Sequence, residues 1–283
     1  MVPRPVRIAL AVQPQHSDYP TIRRVVGEAE DLGVDMICVW DHFFPLFGTD
    51  DGWEAGRNFE AWSLLAAWAE QTSRVELAPL VSPVGFRNPD LLADMARTVD
   101  HISGGRLVLG LGGGWFERDY AEYGYPFGTA GARLGELEAA VPRIKARWSA
   151  LNPPPLRDIP VLIGGGGEQR TLRLVARHAD IWHCIGTPEL LARKQQVLDD
   201  WCRVEGRDPS TIERSTHGGA PTSRHVPSWE RSPDPYGPQL LELGFTRFTI
   251  RSGGPDFDLG PVREWVAWRD EVNRDRPVER SGP

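Results

Sequence analysis

The sequence predicts an α/β protein of the (β/α)8-barrel, or TIM-barrel, class, formed by residues 1–283 as one domain. Short apolar runs alternate with amphipathic helical patterns along the chain, which is typical of repeated β–α units and a parallel sheet. There are eight such runs, the number that closes a barrel of this class. The second to fifth runs are almost continuously apolar, as strands buried on both faces require.

The first half of the chain supplies four of the predicted β–α units. Gly33 ends the first helix, and Pro89 opens the third, where a residue without an N–H is well tolerated. The predicted strands are 6–12, 36–41, 75–82 and 106–114, and the predicted helices are about 21–33, 59–72, from Pro89 onward, and 131–150.

The second half supplies the other four strands. Residues 218–244 are rich in Pro, Gly and Ser, and only their last eight residues have a helical pattern. We therefore expect an irregular loop or lid at about 218–240, then one shortened helix, and a frayed tail after Asn273. The predicted strands are 160–167, 180–184, 211–217 and 245–252, and the full-length helices are about 168–179, 187–206 and 260–274.

Composition narrows the function classes. The formal net charge is −7 and the basic residues are dispersed, which argues against binding to nucleic acid or a membrane surface. Cys38, Cys184 and Cys202 are odd in number and far apart, so we expect buried thiols, no disulfide framework and no metal site. No apolar stretch reaches the roughly 18 residues of a membrane helix. A cytoplasmic protein is expected, and the preference for Arg over Lys is typical of high-GC, actinobacterial genomes.

Several chemically capable residues stand where strands end, which is where active sites of this barrel class form. Asp41 and His42 end the second strand, and a histidine there can exchange a proton near neutral pH or donate a hydrogen bond to a bound ring. A histidine that merely caps a loop is the alternative. Trp40 and Trp115 also lie at strand ends and are candidates for lining a substrate pocket.

Two glycine runs lie at the same end of the predicted barrel. Gly112, Gly113 and Gly114 end the fourth strand, and bare backbone lets a flat ring or a phosphate approach closely, although glycines also form ordinary turns. The second run, 164–167, directly precedes a helix, where N–H groups and the helix dipole can hold an anion. No GK[ST] sequence follows it, so the phosphate of a larger cofactor is a better interpretation than a nucleoside triphosphate.

Four ordered segments together resemble the luciferase-like monooxygenase superfamily, and in particular its branch that uses the deazaflavin coenzyme F420. They are VWDHF, PLVSPVGFRNP, RLVLGLGGGWFERDYAEYG and PVLIGGGGEQRTLRLVARHAD. The similarity spans roughly residues 6–205, and beyond that only the last strand, FTRFTI, continues it. The resemblance implies a flavin or deazaflavin bound at the carboxyl ends of the strands, and it leaves a homodimer open.

The resemblance also implies roles for individual residues. His42 corresponds to the histidine beside the reaction centre of the deazaflavin, where it assists proton transfer coupled to hydride transfer. A non-prolyl cis peptide bond is expected in a bulge of the third strand, at Pro79–Leu80, behind the cofactor ring. The implied cofactor-binding residues are Asp41, Pro79, Leu80, Ser82, Gly112, Gly113, Gly114, Gly165, Gly166 and Gly167.

Three functions are open on the sequence. The favoured one is an F420-dependent oxidoreductase that transfers a hydride between the deazaflavin and a small organic substrate, with the protein supplying orientation and proton transfer. It is favoured by the GLGGGWFE and IGGGGE segments and by the high-GC composition. The second is an FMN-dependent monooxygenase of the same fold, and the third is a non-catalytic flavin-binding barrel.

Overall fold

The computed structural model describes residues 4–46, 56–218, 232–274 and 276. Every strand pair in this part of the chain is parallel. The strands are β1 Arg7–Gln13, β2 Met36–Val39, β3 Glu76–Pro79, β4 Ser82–Pro83, β5 Leu109–Gly112, β6 Val161–Gly164, β7 Ile181–His183, β8 Glu213–His217 and β9 Phe245–Gly253. Their order in the sheet is β3-β2-β1-β9-β8-β7-β6-β5-β4.

The sheet closes on itself. Strands β3 and β4 are two halves of the predicted third strand, and they lie at the two ends of the strand order. A parallel bridge between Leu77 and Leu107 joins β3 to the segment that leads into β5, the neighbour of β4. The described strands therefore form a barrel of eight staves with helices outside, and the predicted (β/α)8 fold is confirmed.

The third stave corrects the prediction of one continuous strand at 75–82. Pro79 still pairs in register with Val39, and the N–H of Leu80 donates to the Val39 carbonyl oxygen at 2.8 Å. Because the chain leaves the strand only after that bond, the non-prolyl cis peptide bond lies at Leu80–Val81. The predicted position, Pro79–Leu80, is wrong by one residue.

The helices follow the strands around the outside of the barrel. In the described residues they are α1 Tyr19–Asp31, α2 Ala61–Gln71, α3 Pro89–Ile102, α4 Glu117–Tyr123, α5 Ala130–Ala150, α6 Thr171–His178, α7 Pro188–Val204, α8 Tyr236–Glu242 and α9 Gly260–Arg274. Helix α4 is absent from the sequence-based prediction. Helix α8 forms the helical end of the predicted irregular segment, whereas residues 219–231 of the predicted loop or lid lie outside the described residues. None of the described helices is both long enough and apolar enough to span a membrane.

Four charged side chains, which we call the base layer, close the barrel near the amino-terminal ends of its strands. Arg247 donates to Glu213 at 3.1 Å and to Glu76 at 2.8 Å, and Arg7 donates to Glu213 at 3.2 Å. Arg247 and Glu213 are 1% and 2% exposed. Burial alone would raise the pKa of Glu213, but Arg247 and Arg7 hold that pKa below its usual value. The base layer therefore closes this end of the barrel with paired charges.

The interior of the barrel is filled by small and medium side chains and by close backbone contact. A Cβ atom on Gly110 would lie 1.9 Å from the carbonyl oxygen of Pro79, so β5 approaches β3 more closely than any side chain allows. The apolar residues that share this interior are Ala9, Met36, Cys38, Ala78, Val108, Leu162 and Ile181.

The three cysteines are buried and unpaired, and their burial is as predicted. Burial raises the pKa of the Cys38 thiol to about 12 and that of Cys184 to about 11. It raises the pKa of Cys202 as well. All three thiols are therefore protonated at neutral pH, and a protonated thiol is a poor nucleophile.

Candidate active site

A cavity of about 640 Å³ opens at the carboxyl ends of the strands, opposite the base layer. This is the end of the barrel where the sequence predicts the site. Among the described residues, it is lined by side chains and backbone from most staves of the barrel. The sequence-predicted residues that line it are His42, Leu80, Gly112, Gly113, Gly114, Trp115, Gly165 and Gly166.

The cis-peptide bulge and the glycine runs form one continuous wall. A Cβ atom on Gly112 would lie 2.6 Å from Cγ2 of Val81, and one on Gly164 would lie 3.0 Å from Cγ1 of the same residue. Gly114 has φ of +75°, and its Cβ would lie 2.1 Å from the hydroxyl of Tyr120. Since side chains at these positions would collide with their neighbours, the wall stays smooth and offers bare backbone to a flat ligand.

His42 is fixed in the wall by a carboxylate. Its Nδ1 is 2.5 Å from Oδ2 of Asp119, whose other oxygen accepts a hydrogen bond from the N–H of Phe43 at 3.0 Å. Asp119 is fully buried, whereas His42 is 9% exposed and borders the cavity. When Asp119 accepts from Nδ1–H, the neutral ring presents Nε2 to the cavity. His42 is thus oriented for proton exchange with a bound molecule.

Aromatic side chains surround His42 at the mouth. The ring of Trp115 meets the His42 ring nearly edge-on at 5.7 Å, and Phe116 does so at 5.6 Å. Trp40 meets it at 6.2 Å, although Trp40 is not part of the cavity lining. Trp115 lines the cavity yet is 65% exposed. The entrance beside His42 is therefore apolar.

Asp41 and Ser82 lie behind the wall. The Ser82 hydroxyl donates to Asp41 at 2.6 Å and accepts from the Trp62 indole N–H at 3.0 Å. Arg87 donates to both carboxylate oxygens of Asp41, at 2.6 and 3.1 Å. Asp41 and Ser82 are 1% and 0% exposed. Their polar groups are engaged within the protein, where they hold the ends of the second and third staves next to His42.

The second glycine run connects the wall to α6. Gly165 has φ of +131°, and its N–H donates to the carbonyl oxygen of His183 at 2.9 Å. Gly166 borders the cavity beside Lys194, whose ammonium group pairs with Glu168 at 2.8 Å. Gly167 contacts the side chain of Thr171 and, like Pro79 in the third stave, is not part of the lining. A backbone loop, a helix start and a cation thus meet at one edge of the cavity.

Two further histidines, His183 and His217, border the cavity at the ends of β7 and β8. Nδ1 of His183 is 2.9 Å from the hydroxyl of Ser215, and the rings of His183 and His217 are 5.2 Å apart. Burial, and to a lesser extent Arg247, lower the pKa of His183 to about 4. Burial, with His183 and Arg251, also lowers the pKa of His217 well below its usual value. Both rings are neutral at physiological pH.

Sequence reasoning missed several residues of this site, Val81 and Lys194 among them. Asp119 lies on the unpredicted helix α4, 77 positions after His42, and no local pattern connects the two. His183 and His217 carried a usable signal, because each lies at the end of a predicted strand, as His42 does. In the part of the chain that the structure describes, no group of three or more His, Cys, Asp or Glu residues is placed to hold a metal ion.

Sequence comparison agrees with the motifs. The model of the luciferase-like monooxygenase family matches residues 5–222, which confirms the resemblance. A Mycobacterium tuberculosis protein is 32% identical over 172 residues, covering 54% of this chain and 59% of the relative. The pyrimidine monooxygenase RutA of Stutzerimonas stutzeri is 27% identical over 207 residues, 65% of this chain and 56% of RutA. The F420-dependent glucose-6-phosphate dehydrogenase of Amycolatopsis mediterranei is 31% identical over 127 residues, which cover 44% of this chain and 36% of the dehydrogenase.

The matches thus span about half the length of these curated relatives or less. Solved structures extend the similarity of fold to nearly the whole chain. An F420-dependent secondary alcohol dehydrogenase superposes with a TM-score of 0.76 at 16% identity, covering 93% of this chain and 98% of the other. The FMN-bound oxygenating component of a Pseudomonas putida diketocamphane monooxygenase superposes with a TM-score of 0.68 at 15% identity, covering 98% and 100%.

Proposed function

The chain belongs to the luciferase-like monooxygenase family, and we propose that it is an F420-dependent oxidoreductase that transfers a hydride between the deazaflavin and a small organic substrate. The observation that supports a flavin-type ring is the juxtaposition of a smooth, glycine-lined wall with a histidine held by a buried carboxylate. The choice of F420 over FMN rests on the GLGGGWFE and IGGGGE segments. The wall suits a flat ring, and His42 suits a proton transfer next to that ring.

The cavity fits a tricyclic ring on steric grounds. The side chain of Val81 occupies the space where Cβ atoms of residues 112 and 164 would lie if Gly112 and Gly164 were not glycines. This contact leaves Leu80, Val81 and the backbone of Gly112 to Gly114 as a single apolar surface. An apolar surface of this kind suits the stacking of a flat ring.

The phosphate-bearing tail of the cofactor has a matching site at the edge of the same wall. Gly166 presents bare backbone in the loop between β6 and α6, and that helix begins at Thr171. Lys194 adds a positive charge there, balanced by Glu168 in the protein alone. We propose that Gly165, Gly166 and Lys194 hold this phosphate.

A bound deazaflavin supplies hydride transfer, whereas a bound reduced flavin supplies reaction with oxygen. The role of His42 is to hold or deliver the proton at Nε2 that accompanies transfer to or from a substrate oxygen. Asp119 keeps the ring oriented and stabilises its positive charge when His42 is protonated. Trp115 and Phe116 form an apolar entrance that favours an uncharged substrate and limits access of water.

An FMN-dependent monooxygenase is the second candidate. It is favoured by the extent of the sequence matches, since the similarity to a pyrimidine monooxygenase covers 65% of this chain and that to an F420-dependent dehydrogenase covers 44%. The wall described above accepts either ring, so the cofactor itself must be tested.

The deciding experiment is titration of the purified chain with F420 and, separately, with FMN, followed by the fluorescence of each cofactor. We expect a micromolar dissociation constant for F420 and at least 100-fold weaker binding of FMN, a difference of about 2.7 kcal/mol. The reverse preference would establish the second candidate. Binding of neither cofactor would refute both.

A pair of glycine variants tests the location of the site. A Cβ on Gly113 meets only Leu134 and the backbone of Arg133, at 3.4 to 3.9 Å, which is ordinary van der Waals contact, so we expect G113V to fold and to obstruct the wall. Gly135 lies on α5 outside the cavity, and G135V is the matched control. Cofactor affinity should fall in G113V and stay unchanged in G135V. Equal affinities in the two variants would place the cofactor elsewhere.

A further inference from the structure

We infer that His183 and His217 form a substrate-binding wall that recognises a neutral oxygen-bearing group, a carbonyl or a hydroxyl. This inference rests on the proposed function, because it assigns the substrate to the cavity that we propose holds the cofactor. It adds two residues that neither the family motifs nor the His42 site includes.

The two histidines lie across the barrel from His42 and Val81, whereas His183 is also the strand neighbour of Gly164 in the second glycine run. In an eight-stave barrel, staves four positions apart are diametrically opposite. The strand order places β7, which ends at His183, four staves from β2, which is followed by His42. It places β8, which ends at His217, four staves from the interrupted stave that carries Val81. A substrate between a ring on the Val81 wall and these histidines would contact both.

His183 carries a buried hydrogen-bonding atom that is not satisfied within the described part of the protein. Its Nδ1 is engaged with Ser215 at 2.9 Å, and its Nε2 is buried with no partner in the described part of the protein. The residue is 5% exposed and borders the cavity. A buried polar atom without a partner destabilises the fold unless a bound molecule satisfies it. A substrate oxygen is the natural partner of this atom.

The electrostatics of the wall favour an uncharged partner. Burial lowers the pKa of both histidines, so they offer hydrogen bonds without a compensating charge. The positive charges of Arg247 and Arg251 lower these pKa values further; they oppose binding of a cation, although they attract an anion. A carboxylate placed here would lose its hydration without gaining an ion pair from the imidazoles. Neutral carbonyl and hydroxyl groups avoid both penalties.

The test measures binding of three probes of one shape, cyclohexanone, cyclohexanol and cyclohexanecarboxylate, by ligand-observed NMR. Wild-type protein should bind the ketone and the alcohol at least tenfold more tightly than the carboxylate. H183L should weaken cyclohexanone binding about tenfold, equivalent to about 1.4 kcal/mol. H183Q, which keeps a polar atom near the position of Nε2, should recover most of that loss. H101L, on the outer helix α3, is the control and should bind like the wild type.

Each outcome supports or overturns the inference. No binding of the ketone by the wild type, preference for the carboxylate, or equal ketone affinity in H183L and wild type would overturn it. The affinities of F420 and FMN are measured on the same variants and should not change in H183L. Because the probes are tested with and without cofactor, failure of cofactor binding refutes the proposed function separately from the histidine wall.

Discussion

Buried polar residues are paired differently at the two ends of the barrel. At the base, Arg247 and Glu213 are almost completely buried, and their charges are paired within the protein. At the mouth, His183 and His217 are similarly buried, but they are neutral, and Nε2 of His183 has no partner among the described residues. The charges of Arg247 and Glu213 are therefore satisfied within the protein, although Nε of Arg7 in the same layer has no partner among the described residues. At the mouth, we expect a bound molecule to satisfy His183.

This difference separates stability from function along one axis of the molecule. Removing one partner of a buried ion pair leaves an uncompensated charge, which is strongly destabilising. Changing a group that faces a cavity mainly alters what the cavity binds. Variants at the base should therefore change the free energy of unfolding, and variants at the mouth should change ligand affinity or turnover.

The largest effect is expected for H42A at the mouth. Loss of a positioned acid or base lowers turnover by about 10²- to 10⁴-fold, whereas cofactor affinity should change little. The melting temperature should also fall, because the buried Asp119 carboxylate keeps only the N–H of Phe43 as a partner among the described residues. The measurement is the steady-state rate at saturating cofactor, with D119N as a companion variant that should lower the rate by a smaller factor. A non-catalytic flavin-binding barrel would show no turnover in the wild type. An undiminished rate in H42A would show that His42 is not the acid or base.

The next effect is expected for R247M at the base. Glu213 keeps Arg7 at 3.2 Å but loses its buried partner, so the free energy of unfolding should fall by about 3 kcal/mol. Urea unfolding measures this change, and R263M on the exposed face of α9 should stay within about 0.5 kcal/mol of the wild type. Cofactor affinity of folded R247M should be unchanged. If the free energy of unfolding falls by less than about 1 kcal/mol, then the ion pairs of the base layer do not stabilise the fold as expected.

The pH dependence of stability gives the third contrast. His183 has a pKa of about 4 when folded and about 6.5 when unfolded, so the unfolded chain binds more protons between these values. Stability should therefore fall as the pH is lowered, by about 2 kcal/mol between pH 7 and pH 5 from His183 alone. Glu213 has a lowered pKa, so its contribution is lost only at more acidic pH.

Urea unfolding at pH 7, 6 and 5 tests this prediction. H183Q should show a shallower pH dependence than the wild type over that range, and H101Q should follow the wild type. If H183Q and wild type lose stability in parallel, then His183 is not the source of the dependence.

The smallest effect is expected where an exposed apolar side chain is removed at either end. Trp115 is 65% exposed at the mouth and Leu156 is 55% exposed on the outer surface. Both W115A and L156A should change the free energy of unfolding by no more than about 0.5 kcal/mol. Only W115A should raise the KM for substrate, by about three- to tenfold, because only Trp115 borders the cavity. An equal KM in the two variants would remove Trp115 from the substrate path.

The barrel was largely predictable, because parallel strands buried on both faces leave an apolar signature in local sequence. The failures have local causes. The third stave reads as one apolar run, and nothing in its composition marks the cis bond at Leu80–Val81. Helix α4 has only seven residues, too few for a periodic pattern, although Gly124 marks its end with φ of 67°.

The candidate site was predictable in part. Glycines and His42 at strand ends line the cavity, because strand ends converge at the mouth whatever the length of the chain between them. Asp119 was not predictable, since its contact with His42 depends on how α4 packs. The resemblance implied that Asp41 and Ser82 bind the cofactor; in the structure their polar groups are engaged with Arg87 and Trp62, and neither residue lines the cavity.

The three buried thiols make the protein suitable for selective labelling. Because each native cysteine is buried and protonated at neutral pH, a maleimide dye should leave all three unmodified. A single cysteine introduced at Tyr123, which is 54% exposed near the mouth, would then carry the only fluorophore. Emission from that site would follow the arrival of a small molecule in real time, with the natural thiols left in place.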